Sequence, residues 1–343
     1  MRWITRTPTS NQRDSERGAS AIIVAIVMVA LLGFAAISID VGRIYWERVQ
    51  LQNGADSAAI SVALDCSKGA CTAGEATAPG FANDNANDAH TKIESITYPK
   101  PGTVRVTTGA LSASGNEGLG MTFANIFGLS EVSVPATAEA SWGPPKTTAS
   151  FPWTAPLCAF KSLLSQEQLD DLAEFGHFDG APSNERITLR SDKNAPEIPE
   201  CVGQPGYVNG GFAWIDYDAA NCQATIDLSS GDPVAGSDPG NNIPQTCKDA
   251  LDNAMDHPIL FPIFDTSSGT GNTGTYDIYG HGAFQITGYQ FSGYTKIDPL
   301  APPCDGGNAR CLQGFFTLYS EMGDGGEIST GPSLGGTVVR LTK

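Results

Sequence analysis

The sequence contains one pattern typical of a serine hydrolase, the stretch Gly331-Pro-Ser333-Leu-Gly335. In a nucleophile elbow the serine follows a strand and precedes a helix, and a histidine and an acid follow later in the chain. Here eight residues follow Gly335, and none of them is His, Asp or Glu. The stretch therefore predicts a Gly/Pro turn before a strand, with no catalytic residue.

The sequence also gives little support for a metal site. The four histidines are His90, His177, His257 and His281. Their spacing matches no zinc motif, since zinc ligands cluster within a few residues of one another. Two loops rich in Asp and Asn, at 83–88 and 232–242, lack the ligand order of a calcium loop. We expect solvated acidic loops there, no metal site and no cofactor.

The number and distribution of the cysteines indicate disulfide bonds. The eight residues are Cys66, Cys71, Cys158, Cys201, Cys222, Cys247, Cys304 and Cys311. All eight cysteines follow the uncharged segment at residues 19–39, which is described below. An even number of cysteines on one side of such a segment predicts disulfides in an oxidising compartment. Cys66–Cys71 and Cys304–Cys311 are close enough in sequence to form local bridges. The other four cysteines allow three pairings, and the spacing does not choose among them.

Composition restricts the class of protein. The chain has 343 residues and a formal net charge of −17, which disfavours binding of nucleic acid through the bulk surface. Only 17% of residues are charged, whereas Gly (39) and Pro (22) are frequent. This composition favours short strands joined by many turns over a helical bundle.

Residues 19–39 form an uncharged segment of the length that crosses a bilayer as a helix. Arginines dominate the short stretch before it, and acidic residues dominate the long region after it. The positive-inside rule therefore predicts a cytoplasmic N-terminus and an extracytoplasmic C-terminal region. A signal peptide cleaved near Ala36 is the alternative, although its apolar region would normally be shorter. Small residues, Gly33 among them, would allow close packing against another membrane helix.

The helical pattern continues beyond the apolar segment. Residues 40–65 place Val41, Ile44 and Leu51, followed by several alanines, at steps of three and four. Asp40 and Arg43 are spaced to pair at the membrane boundary. An Asp at that boundary needs a partner, either within the chain or on another subunit. Gly33, Asp40 and Arg43 are therefore the predicted interaction residues.

This N-terminal region resembles the TadE/TadG-like proteins of the Tad (Flp) pilus assembly system. The matching stretches are Arg17-Gly18, Asp40-Val41-Gly42-Arg43 and residues 51–59, with Gly54 where the family usually has Ala. A weaker likeness covers residues 121–143. The resemblance implies a single-pass, pilin-like assembly component. Cleavage after Gly18 would require Glu at the fifth following position, where Ile23 stands, so we expect the segment to be retained.

These observations predict an α+β protein in four parts. They are a cytoplasmic tail (1–18), a transmembrane helix (19–39), a stem helix with a pilin-like α+β module (40–145) and a β-rich, disulfide-containing domain (146–343). We expect a non-enzymatic, membrane-anchored pilus component whose partners are the bilayer and other pilin-like or Tad membrane proteins. The alternatives are a tethered adhesin or binding module for a surface ligand and, secondly, an exported hydrolase.

Overall fold

The computed structural model defines the fold of most of the chain. It describes residues 13–112, 114–192, 195, 197–204, 207, 214–229, 234–238, 243, 245–269, 273–306, 309–323 and 327–342, without the side chains of 13–19, 237 and 238. The first twelve residues of the predicted cytoplasmic tail lie outside these ranges, as does most of the 232–242 loop. The sequence pattern also predicts a strand over 212–217, and its first two residues, Phe212 and Ala213, lie outside them too.

The longest element is a single helix, α1 (Arg13–Cys66), of 54 residues. It contains no proline, and its first half is a run of apolar side chains that favour helix in lipid. It is long and apolar enough to cross a membrane, with an 18-residue window of mean hydropathy 3.0 and no residue of that window buried. The predicted continuation of the apolar segment into a stem helix is thus present in the structure.

The chain forms two compact units, each assembled from separated stretches of sequence. The first contains Met1–Ser57, Pro79–Ser95 and Thr107–Thr137, and the second contains Ala58–Ala78, Ile96–Val106 and Ala138–Lys343. The predicted ranges 40–145 and 146–343 were contiguous in sequence. The division of the chain into a module at 40–145 and a domain at 146–343 stays a prediction.

In the first unit, α1 packs against short strands and a hairpin. The strands that lie wholly or partly in this unit are β1 (Thr91–Lys100), β2 (Thr103–Ala110), β3 (Leu119–Gly120), β4 (Glu131–Val132) and β5 (Pro135–Gly143). β3 and β4 pair antiparallel and carry a 3₁₀ turn, Ala124–Phe127, between them. Leu51 lies in a buried cluster with Met121, Val134 and Ala136, and Ile44 packs on its edge. This cluster fixes α1 to the hairpin.

The sequence pattern of residues 66–90 predicts a loop, but the structure has a helix there, α2 (Cys71–Asp84). Gly74, Pro79 and Gly80 lower helix propensity there, which is why the sequence pattern indicated a loop. Tertiary packing outweighs propensity because the small residues allow very close approach to α1. A Cβ on Gly54 would lie 2.8 Å from the carbonyl oxygen of Ala82, and one on Gly74 would lie 2.9 Å from the Cα of Val62.

The second unit is β-rich, as predicted. Its helices are α3 (Leu157–Lys161), α4 (Gln166–Phe175), α5 (Gln245–Asn253) and a 3₁₀ turn, Pro199–Cys201. Its further strands are β6 (Thr147–Ser150), β7 (Ala155–Pro156), β8 (Ile187–Arg190), β9 (Trp214–Ile215), β10 (Ala224–Asp227), β11 (Val234–Asp238), β12 (Ile259–Ser268), β13 (Thr275–Phe291), β14 (Tyr294–Lys296), β15 (Cys311–Thr317), β16 (Tyr319–Met322) and β17 (Gly336–Leu341). Ser165 and Gln168 have the sequence spacing that predicts a capping box, and the box is present, since the two residues exchange side-chain and backbone hydrogen bonds.

Two larger sheets organise these strands. One follows the order β1-β2-β5-β17-β16, in which β17 pairs antiparallel with residues 140–143 of β5 and parallel with β16. The other follows β7-β12-β13-β11-β9, with β14 and β15 also paired to β13 and β8 paired to β15. The sequence pattern predicts two separate strands at 275–279 and 283–291, but the structure joins them in one long strand, β13, of 17 residues. Aromatic side chains fill the core around Trp153, whose ring lies 5.4 Å from the rings of Trp214 and Phe291.

His281 is an unusual member of this interior. It lies on β13 opposite Pro262 of β12, is fully buried, and has no hydrogen-bond partner for either ring nitrogen among the described residues. Burial lowers the pKa of His281 to about 4, because the charged imidazolium has no compensation there. The side chain is therefore neutral in the folded protein near pH 7.

We expect Gly54→Ala to destabilise the contact between α1 and α2. The helix-propensity gain of about 1 kcal/mol is outweighed by a clash with the Ala82 backbone, for a net loss of about 1–2 kcal/mol. Hydrogen exchange of the amides of residues 79–84 measures the effect. Gly42→Ala is the matched control, because its Cβ would have no atom within 4 Å. Unchanged exchange in Gly54→Ala would contradict the close approach.

We expect the second unit to lose stability as the pH falls from 6.5 towards 4. Because the pKa of His281 is lowered in the folded protein, the unfolded chain binds the proton at a higher pH than the folded chain does. Protonation therefore favours the unfolded chain below the ordinary pKa, and the full stability is kept only above it. The loss by pH 4 is about 3 kcal/mol at 1.36 kcal/mol per unit. Urea unfolding followed by tryptophan fluorescence measures it. His281→Leu should show a shallower pH dependence over this interval, and an identical slope would exclude this role for His281.

Candidate interaction site around Asp40

The face of α1 that enters the first unit begins with a charged residue. Asp40, Ile44, Glu47 and Leu51 follow one another at steps of four, three and four, so they share one side of the helix. Asp40 and Glu47 are each only 5% exposed. Val41 was predicted on this face but is 58% exposed. The rest of the predicted face, from Ile44 and Leu51 onwards, is buried or partly buried, and only its first position differs, since Asp40 is buried there in place of Val41.

Those partners are backbone amides of the hairpin. Asp40 Oδ1 accepts from the amide of Thr122 at 3.1 Å, and Oδ2 accepts from Phe123 at 3.0 Å and Ala124 at 2.7 Å. Burial acts to raise the pKa of Asp40, but the three amides and the charge of Arg43 outweigh burial and hold the pKa below its ordinary value. The carboxylate therefore stays charged and holds the start of the 3₁₀ turn.

Arg43 supports the same hairpin by a different contact. Its Nη1 donates to the hydroxyl oxygen of Thr122, whose amide binds Asp40. Asp40 and Arg43 therefore both form hydrogen bonds with the segment 122–124, and their opposite charges attract each other. The partner required for Asp40 lies within the chain, which the sequence spacing alone left open between the chain and another subunit.

Sequence reasoning did not single out Glu47 and Gln50. Gln50 accepts a hydrogen bond from the amide of Asn87 at 2.7 Å. Burial, then the nearby Asp88 carboxylate, raise the pKa of Glu47, and Arg43 and His90 lower it less. A helical count from Asp40 by seven and ten residues would have placed both on the buried face. Glu and Gln are usually exposed to solvent, so their residue types gave no reason to expect them on a buried face.

A groove of about 470 Å³ lies beside these residues. Its walls include Ile39, Trp46 and Glu47 of α1 and Asp88 and Leu119 from the facing segments. The apolar edge at Ile39 and Trp46 meets an acidic side at Glu47 and Asp88. Because the groove adjoins the end of the apolar segment, it belongs to the same boundary region as Asp40.

Gly33 lies on the exposed part of α1. Nothing lies within 4 Å of the position that its Cβ would occupy. From Ser20 to Ile39 every residue is exposed except Ala36, which is partly exposed. The first unit therefore leaves the surface around Gly33 free to contact lipid or another helix.

All eight cysteines form disulfides. The bridges are Cys66–Cys71, Cys158–Cys201, Cys222–Cys247 and Cys304–Cys311. Both local bridges are the ones expected from spacing, and the structure selects one of the three open pairings for the other four. The bridge Cys66–Cys71 closes the turn between α1 and α2.

The second unit holds a separate polar cleft of about 340 Å³. His257, Tyr319 and Glu321 line it, and the rings of His257 and Tyr319 stack with centroids 6.4 Å apart. Burial raises the pKa of Glu321, while the charge of His257 lowers it. Ser333 of the hydrolase-like stretch is not in this lining; its amide donates to the carbonyl of Gly176 in a turn before β17. Within the described part of the chain, no three His, Cys, Asp or Glu side chains form a metal-type cluster.

We expect Asp40→Asn to release the hairpin from α1. Asparagine replaces one acceptor oxygen with an NH₂ group that faces backbone donors, so amide exchange at residues 122–124 should rise about tenfold or more. Because the pKa of Asp40 is lowered, wild-type protection should persist as the pH falls to the ordinary pKa and disappear only below it.

Asp56→Asn is the matched control for this experiment. Asp56 is also on α1 and accepts a hydrogen bond at 2.8 Å, but from Gln52 of the same helix. Exchange at 122–124 should not change in this variant. Equal exchange in Asp40→Asn and wild type would show that the carboxylate does not hold the hairpin.

Comparison with protein families gives a match near the N-terminus. Residues 18–65 match the Tad family model, described as Flp pilus-assembly TadE/G-like. The chain has no significant match among curated proteins or among solved structures. The matched range contains the apolar segment, Gly33, Asp40, Arg43 and the part of α1 that packs in the first unit. The N-terminal region, residues 18–65, is therefore similar to the TadE/G-like proteins of the Flp pilus-assembly family, as the resemblance in the sequence predicted.

Proposed function

We propose that this protein is a membrane-anchored, non-enzymatic component of a Tad (Flp) pilus assembly system. The apolar half of α1 anchors it in the membrane and packs beside the helices of other pilin-like or Tad proteins. The region beyond residue 40 lies outside the cytoplasm, where it contacts the pilus, the assembly machinery or the envelope.

The observation that carries this proposal is the coincidence of the family match with one exposed helix. The match covers residues 18–65, and the apolar part of that range has no buried residue in its most hydrophobic window. Some 20 exposed apolar residues require lipid or neighbouring helices in place of water. Association of helices in a membrane is the function that this surface supports best.

Charge and cysteine distribution support the orientation. The segment before residue 18 contains four basic and two acidic residues: Arg2, Arg6, Arg13, Arg17, Asp14 and Glu16. Basic flanks remain in the cytoplasm. Four disulfides lie on the other side of the segment, where an oxidising compartment would maintain them.

Two kinds of interaction residue follow from the geometry. Gly33 is proposed to contact another membrane helix directly, since no atom of the first unit is near it. Asp40 and Arg43 are already bound to the hairpin, so their proposed role in assembly is indirect. They hold the surface that a partner would meet just beyond the membrane.

The test is Gly33→Leu in the full chain, expressed in the native host. A bulky side chain at a helix contact prevents close approach, so recovery of pilin-like partners in a detergent pulldown should fall about fivefold or more. Ala35→Leu is the matched control, because it adds similar bulk about 200° around the helix. Equal recovery from both variants and wild type would reject helix packing at Gly33.

Mass spectrometry of the same purified protein checks the anchor. The proposal requires an N-terminus at or before residue 19 and the four disulfide pairs of the structure. A mature N-terminus beyond Ile39, or reduced cysteines, would reject the membrane-anchored, extracytoplasmic assignment.

A second candidate function is a tethered binding module. The polar cleft with His257, Tyr319 and Glu321 favours it, because its volume of about 340 Å³ is within the range of small-ligand sites. In that case α1 would serve only as a tether, and Gly33→Leu would leave function intact. The family match favours the assembly role.

A further inference from the structure

The hairpin that Asp40 holds ends in an exposed apolar tip. Its three large apolar side chains are among the most exposed of the described residues: Ile126 79%, Phe127 85% and Leu129 59%. Side chains of this size are usually buried, and a cluster of them on the surface marks a site of interaction. Residues 118–130 also contain no charged side chain, in a chain whose net charge is −17.

The direction of the hairpin follows from its contacts with α1. Its base, where Leu119 pairs with Val132, belongs to the cluster that contains Leu51 and Ile44. The next residues, 122–124, bind Asp40. From Leu51 to Asp40 the helix descends 11 residues, about 16 Å at 1.5 Å per residue. The hairpin therefore runs towards the apolar half of α1, and its tip follows beyond residue 124.

The turn geometry presents the tip outwards. The 3₁₀ helix Ala124–Phe127 has no buried residue, and it ends at Gly128 in the left-handed conformation with φ 84°. The amide of Leu129 returns to the carbonyl of Ala124 at 3.2 Å, which closes the loop and leaves Ile126 and Phe127 at its end. These backbone hydrogen bonds define the turn, so contact at the tip costs little further backbone entropy.

The helix beside the tip has the composition of a membrane interface. Tyr45 and Trp46 are 71% and 61% exposed, and they lie about 8–9 Å beyond Asp40 along α1. Tyr and Trp concentrate at the headgroup level of bilayers, with basic residues such as Arg43 nearby. The aromatic pair thus lies on the C-terminal side of Asp40, at a depth that suits headgroups, and the uncharged tip lies on the side of the apolar segment.

We propose that Ile126, Phe127 and Leu129 insert into the bilayer interface and form a second, non-helical membrane contact. The tip adds apolar area to the anchor and fixes the rotation of α1 about its axis, which determines the side on which Gly33 faces its neighbours. This inference rests on the proposed membrane anchoring of α1. The partner of the tip is lipid, at the boundary between headgroups and acyl chains.

The test places a fluorescent amino acid at Phe127 by codon suppression in the full chain. The protein is reconstituted in vesicles of phosphatidylcholine and phosphatidylglycerol, with and without lipids brominated on the acyl chain. Bromine quenches only nearby fluorophores, so quenching at residue 127 should exceed that of the control about threefold or more. The same probe at Ile126 provides an independent second site.

Phe81 is the matched control. It is an exposed phenylalanine in the first unit, 45% exposed, next to Ala82, which approaches Gly54. Gly54 is 14 residues beyond Asp40, about 21 Å along α1, so the probe at Phe81 should remain in water. A probe at Val27, in the middle of the apolar segment, reports separately whether α1 spans the bilayer.

The outcomes separate the two proposals. Quenching at 27 and 127 but not at 81 supports insertion of the tip. Quenching at 27 with equal, weak quenching at 127 and 81 overturns the tip and leaves the anchor. Absence of quenching at 27 rejects the anchor and, with it, this inference. A blue-shifted probe at 127 that brominated lipid does not quench shows that protein covers the tip, which also overturns the inference.

Discussion

The first unit depends on one buried carboxylate that accepts hydrogen bonds from three successive amides. Asp40 ends the apolar run of α1 and begins the face that packs against protein. A buried charge without partners would be expensive, and backbone donors satisfy it without a second charged side chain. The same contact sets the height of the hairpin relative to the end of the apolar segment. One residue thereby couples the anchor to the folded part of the first unit.

The composition of α1 reflects its change of surroundings along its length. Up to Ile39 large apolar side chains are exposed, as suits lipid. Beyond Leu51 the buried positions become small, with Ala55, Ala58 and Ala59 fully buried. Small residues allow α2 to approach α1 so closely that Gly54 has no room for a Cβ. This crossing explains why position 54 is a glycine.

Sequence patterns anticipated the elements whose signals are local. The apolar run, the capping box at Ser165 and the two short-range disulfides follow from composition and spacing. The missed features depend on contacts between distant segments. α2 forms despite Gly74 and Pro79 because α1 lies beside it, and the partner of Asp40 is supplied by residues more than 80 positions away. No local pattern in Thr122–Ala124 indicates that its amides face a carboxylate.

The pairing of β17 with β5 has a consequence for the order of folding. Residues 140–143 find their partner strand roughly two hundred positions later in the chain. Until that later segment arrives, β5 presents one edge of unpaired peptide groups to any extended chain in its vicinity. Any sheet that forms around β5 before β17 arrives therefore has an open edge, and shielding by a chaperone would be most valuable during that interval.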